Sequence, residues 1–69
     1  MERTPVSSSD ILSIGYDADN QVLEIEFIRG AVYQYSGVPP GQYDGIMAAD
    51  SKGKYFLANI KNAYSHMKM

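Results

Sequence analysis

Cysteine is absent from this sequence and histidine occurs once, as His66. Without cysteine there is no disulfide framework and no thiol chemistry. A zinc site needs three or four ligands of types this chain mostly lacks, so His66, close to the C-terminus, reads as a solvent-exposed side chain. No apolar run approaches the ~20 residues that cross a bilayer, and the opening MERTPVSSSD has no apolar h-region. The expected setting is the cytoplasm, with no membrane partner. No nucleophile stands beside a base, so the sequence points to no enzyme and implies no cofactor.

Sixty-nine residues make one small domain. A chain of this mass buries roughly 60% of its unfolded surface, so stability should be modest and a partner or a second copy would add to it. The net charge of −2 is unevenly spread. Residues 1–50 hold all eight acids against Arg3 and Arg29, a balance of −6. Residues 51–69 hold Lys52, Lys54, Lys61 and Lys68 with no acid, a balance of +4.

The stretch from Gln21 to Ser36 organises the rest. Leu23, Ile25 and Phe27 alternate with Glu24 and Glu26, the period of a strand with one dry and one wet face. A three-residue loop, Ile28-Arg29-Gly30, pairs Phe27 with Ala31, Ile25 with Tyr33 and Leu23 with Tyr35. It also puts Gly30 where a left-handed residue is needed. A two-residue loop at Arg29-Gly30 would mix the faces, and register is set by which side chains must be dry. Glu24 then meets Gln34 on the wet face, and the hydroxyls of Tyr33 and Tyr35 are expected at the rim of the core.

Residues 1–9 read as a loose lead-in and 66–69 as a fraying tail, leaving a domain over 10–65. Ile11 to Tyr16 forms a first strand, with Leu12, Ile14 and Tyr16 on one parity. Asp17-Ala18-Asp19-Asn20 has turn composition, with either a four-residue loop or a two-residue loop at Asp19-Asn20. After Gly37-Val38-Pro39, Pro40 suits the first turn of a helix over roughly 40–49, in which Tyr43, Ile46 and Met47 share a face. A second helix, capped by Asp50 or Ser51, should run from Lys52 or Gly53 to about Tyr64. Phe56, Ile60 and Ala63 form its stripe, bordered by Leu57 and Tyr64. The expected fold is α+β: a three-stranded antiparallel meander covered on one face by two short helices, in the order β-β-β-α-α.

Asp17 and Asp19 are turn formers, and Glu24 and Glu26 read as solvated strand residues. Ser51-Lys52-Gly53-Lys54 has some phosphate-site character, with orphan N–H groups, a glycine and two ammonium groups. It lacks the longer glycine-rich loop of a nucleotide-hydrolysing site. Tyr33, Tyr35 and Tyr43 read mainly as structural aromatics at the core rim. Tyr55, between Lys54 and Phe56, is the tyrosine expected to face outward.

The ordered set Ile14-Gly15-Tyr16-Asp17, Gly30, Tyr33-Gln34-Tyr35, Val38-Pro39, Tyr43, Ser51, Gly53, Tyr55-Phe56, Ile60 and Tyr64 resembles the KTSC family. That family takes its name from a domain at the C-terminus of some lysyl-tRNA synthetases and also occurs as free-standing bacterial proteins. The resemblance covers about Ser8 to Tyr64. It implies a domain without established function, for which the synthetase connection suggests RNA binding. The acidic first fifty residues argue against a broad duplex-binding surface. A local face of Ser51, Lys52, Lys54, Tyr55 and Lys61, reading structured RNA or an unpaired end, is the candidate. The alternative is a protein-interaction or self-association module using an open sheet edge.

Overall fold

A computed structural model describes all residues, 1–69. Its elements run β1 (Arg3–Pro5), β2 (Ile11–Asp17), β3 (Val22–Phe27), β4 (Val32–Tyr35), α1 (Pro40–Ala48), α2 (Lys52–Asn59) and β5 (His66–Lys68). The strands form one antiparallel sheet in the order β1-β2-β3-β4-β5. The α+β class and the two covering helices are as expected, but the sheet has five strands rather than three. Both added strands come from the chain ends. Neither has an alternating apolar pattern, because each is three residues long and held by backbone pairing to a neighbour. Ser36 N–H donates to the Ser65 carbonyl at 2.9 Å and Met69 N–H to that of Val32 at 2.7 Å, so bonds flank β5 on both sides.

The β3–β4 hairpin has the register its dry face demands: Leu23 opposite Tyr35, Glu24 opposite Gln34, Ile25 opposite Tyr33. Phe27 N–H donates to the Ala31 carbonyl and Gly30 N–H to that of Phe27, closing the three-residue loop. Gly30 has φ +101°, a conformation that costs glycine nothing and other residues a steric penalty. Between β2 and β3 the pairing is centred on Asp19-Asn20, with Tyr16 opposite Leu23 and Asp17 opposite Val22. Regular pairing stops there, and the Asp17 carboxylate accepts from the backbone N–H groups of Asp19 and Asn20 and the Asn20 side chain.

The start of β2 departs from simple alternation. A bulge between Ile11 and Ser13 shifts the register, so Ile11 and Ile14 are both fully buried while Leu12 is 47% exposed. A bulge leaves one extra residue unpaired and re-aims the side chains around it. Ile11 therefore takes the core place expected of Leu12. The core gathers Ile11, Ile14, Leu23, Ile25, Phe27 and Tyr35 from the sheet with Ile46, Phe56 and Ile60 from the helical half. Tyr35 is 2% exposed, inside the core rather than at its rim.

Pro40 opens α1, and its buried contact is Ile46. Ser51 caps α2, its hydroxyl accepting from Lys54 N–H at 3.3 Å. This helix ends at Asn59, about five residues short of expectation. Ile60 N–H and Lys61 N–H both donate to the Phe56 carbonyl, and Ala63 N–H to that of Ile60, so the chain tightens into turns. Ile60 stays buried, whereas Ala63 is exposed and leaves the stripe.

The bulge yields a sharp contrast. Ile14→Ala should cost about 2–5 kcal/mol in urea denaturation, as a fully buried truncation does. Leu12→Ala should stay within about 0.5 kcal/mol of the parent. Equal costs would show that β2 alternates regularly.

Candidate functional site

Helix α2 lies over the sheet beside the β3–β4 loop and β5, and between them runs a groove of about 450 Å³. Phe27, Tyr33, Tyr35, Phe56 and Leu57 supply its apolar lining, and Arg29, Lys61, Asn62 and His66 supply polar groups. The aromatic side chains are fixed by one another. Phe56 meets Phe27 at 5.3 Å and Tyr35 at 5.6 Å between centroids, both edge to face. Phe27 also meets Tyr33 edge-on at 5.8 Å, and the Arg29 guanidinium lies 5.3 Å from the Phe27 ring centre. Such pairs contribute about 0.5–1.5 kcal/mol beyond their buried area.

His66 enters from β5. Opposite Tyr35 in the ladder, it shares that residue's helix-facing side, and its ring lies parallel to Tyr33 at 5.7 Å with 15° between planes. It remains solvent-exposed, but as part of an aromatic row rather than a free tail. Leu57, expected to help cover the sheet, is 57% exposed at the groove. Burial pushes the Tyr35 hydroxyl up to about 12, with the Tyr33 hydroxyl adding to the rise and the Arg29 charge opposing it.

The residues proposed from the sequence do not all converge. Lys61 lines the groove and is exposed. Lys54 is exposed at the start of α2, and Lys52 donates its ammonium to the Ala49 carbonyl at 3.0 Å. Ser51 is engaged as the cap. Asp10 stands over Gly53, its Oδ2 2.9 Å from where a Cβ on that glycine would sit. A carboxylate of the chain itself therefore faces the start of α2, where an anion was expected. Tyr55 turns toward α1: its hydroxyl donates to Gln42 at 2.6 Å and its ring packs on Gly45.

A polar cluster occupies the opposite face of the sheet. Arg3 of β1 lies across Gly15 and donates to the Glu24 carboxylate, which also accepts from Gln34 at 2.9 Å. Ser13 accepts from Arg3 at 3.2 Å and donates to Glu26 at 2.8 Å. Glu24 is therefore buried rather than solvated. Arg3 carries no alternation signal, so no local pattern points to this cover. Burial by itself would raise the Glu24 carboxyl; hydrogen bonds from Gln34 and Arg3, with the Arg3 charge, outweigh it and hold the group below the usual carboxylate range.

No group of three or more histidine, aspartate or glutamate side chains is placed to hold a metal ion. No helix is long and apolar enough to cross a membrane. The class is a small α+β domain with an aromatic groove beside α2. The profile of the KTSC domain family matches residues 7–64, and the chain belongs to that family. It is similar to a KTSC domain protein from Yersinia pestis of known crystal structure, with TM-score 0.94 and 51% identity, over 99% of this chain and 96% of that one. An uncharacterized protein of Stutzerimonas stutzeri is 45% identical over 56 residues, covering 81% of this chain and 79% of that protein. A lysine–tRNA ligase of Nostoc punctiforme is 39% identical over 56 residues, which are 81% of this chain but 10% of the ligase.

Two titrations follow. A carboxyl held low when folded stabilises above its unfolded pKa, and that contribution is lost as pH falls through the folded value. Glu24→Gln should therefore lower the urea midpoint at neutral pH, with the gap to the parent closing in acid. A constant gap would separate Glu24 from the acid limb. Tyr35 is the reverse case. Its stabilisation is complete below the unfolded value of about 10 and is lost as pH rises toward 12. Ultraviolet titration should show late tyrosine ionisation, reduced but not abolished by Tyr35→Phe, because burial and the nearby Asp17 and Asp44 charges also raise the Tyr16 hydroxyl.

Proposed function

We propose that this domain binds RNA, in the cytoplasm, through its positively charged C-terminal third. The observation that carries the reading is the lysine excess of residues 51–69, with Lys61 bordering an aromatic groove that Arg29 also lines. Cations track a phosphate backbone while aromatic side chains offer stacking surfaces that tolerate any base. Lys54 and Lys61 are the outward-facing members of the candidate set and serve as the main phosphate contacts. Ser51 and Lys52 shape the start of α2, and Tyr55 braces α2 on α1. The kinship to part of a lysine–tRNA ligase favours the same reading, since that protein's name gives it a tRNA substrate.

A second reading, association with another protein or a second copy, has its own observation. Met67 is 65% exposed in the row beside Gln34, and Leu12 is 47% exposed at the bulge. The sheet edges favour it less. The outermost strands are three residues each, and β1 contains Pro5, a residue that blunts an edge.

The test is fluorescence anisotropy with a short single-stranded RNA at about 50 and about 200 mM salt, with light scattering for mass. Micromolar binding that weakens steeply with salt is expected. Lys54→Glu with Lys61→Glu should reduce affinity roughly tenfold at low salt and flatten the salt slope. No binding, with a concentration-dependent dimer, would replace this reading with the second.

A further inference from the structure

We propose that the groove beside α2 holds a single unstacked nucleotide at the end of an RNA strand. Its base lies against His66 and its phosphate reaches Lys61. This rests on the RNA-binding reading and adds which part of the strand is bound, and where.

The geometry supplies each element. Tyr33 and His66 already form two parallel layers, and the imidazole is exposed at the groove. A base laid on it continues the column, the way unpaired bases are held on aromatic rings. The volume, about 450 Å³, lies within the range of small-ligand sites. Asn62, which also lines the groove, offers both a donor and an acceptor to a base edge.

Charge sets the direction. Lys61 stands beyond the end of α2, whereas Asp10 stands over Gly53 at its start, about 12 Å away along an eight-residue helix. Both residues line the groove. At the far end Arg29 offsets Asp10, since Ile28 N–H donates to the Asp10 carbonyl at 3.0 Å, so Lys61 leaves its own end the more positive and draws the phosphate there. A continuous strand would have to carry its backbone past that carboxylate; a terminal nucleotide would not. The groove therefore suits a strand end better than a strand interior.

Isothermal titration of the full chain with an adenosine oligomer about six nucleotides long tests this, alongside oligomers carrying an abasic residue at the 3′ end or the 5′ end. One abasic oligomer should bind roughly tenfold more weakly than the parent, and His66→Ala should weaken the parent oligomer by a similar factor without lowering the melting temperature. Amide shifts should cluster at Phe27, Ile28, Arg29, Lys61, Asn62 and His66. Equal affinity for all three oligomers, or shifts confined to residues 51–54, would overturn the groove and leave RNA binding standing. No binding of any oligomer would overturn both.

Discussion

The ring of Phe56 sits edge-on against Phe27 and Tyr35, and the position of α2 depends on those two contacts. An eight-residue helix beginning Lys52-Gly53 is far too short to persist alone, because the cost of nucleation is not recovered over so few residues. The Ser51 cap sets where it starts, but only burial of Phe56, followed by Ile60, sets where it lies. The hairpin register matters for the same reason. With Ile25 opposite Tyr33 and Leu23 opposite Tyr35, the side chains that receive Phe56 all project from one face. The groove is the space left beside that contact, so its shape belongs to the packed core rather than to a flexible loop.

The opposite face works by electrostatics. Glu24 and Glu26 would oppose each other across one strand, yet Arg3 reaches both, donating to Glu24 and lying 3.7 Å from Glu26. Gly15 makes that reach possible, since a Cβ there would sit 3.0 Å from the Arg3 side chain and 2.8 Å from the Glu2 carbonyl. The pairing ties β1 to the sheet through side chains as well as backbone. It also bears on ligand binding. Part of the acidic excess of the first fifty residues is spent inside the domain, on Arg3 and on the Asp17 turn, and so repels an approaching anion less than the bare charge implies.

How much of this could be read from the sequence depends on how local each signal is. The hairpin and Gly30 were legible because alternation and loop geometry agree on one register. Pro40 and the Asp50-Ser51 pair mark the helix starts, since capping is a property of neighbouring residues; the fold selects Ser51. The bulge at Leu12 was not legible: Ile11, Leu12 and Ile14 permit either parity, and only packing against Phe27 and the helices selects Ile11. Nor were β1 and β5, whose pairing is made by backbone groups that every sequence has. On the functional side, the lysine-rich segment that contains Lys61 is visible in the chain, but Arg29 and His66 lie over thirty residues apart and line the same groove only through sheet order. The inward turn of Tyr55 is not legible locally, because its partner, Gln42, belongs to the other helix.

The groove is preformed only if Phe56 couples directly to Phe27. A double-mutant cycle in urea with Phe27→Leu, Phe56→Leu and the pair measures it without reference to any ligand. Direct edge-to-face contact predicts a coupling of about 0.5–1.5 kcal/mol. Additivity within about 0.3 kcal/mol would mean that the two rings do not hold each other, and would contradict a preformed groove.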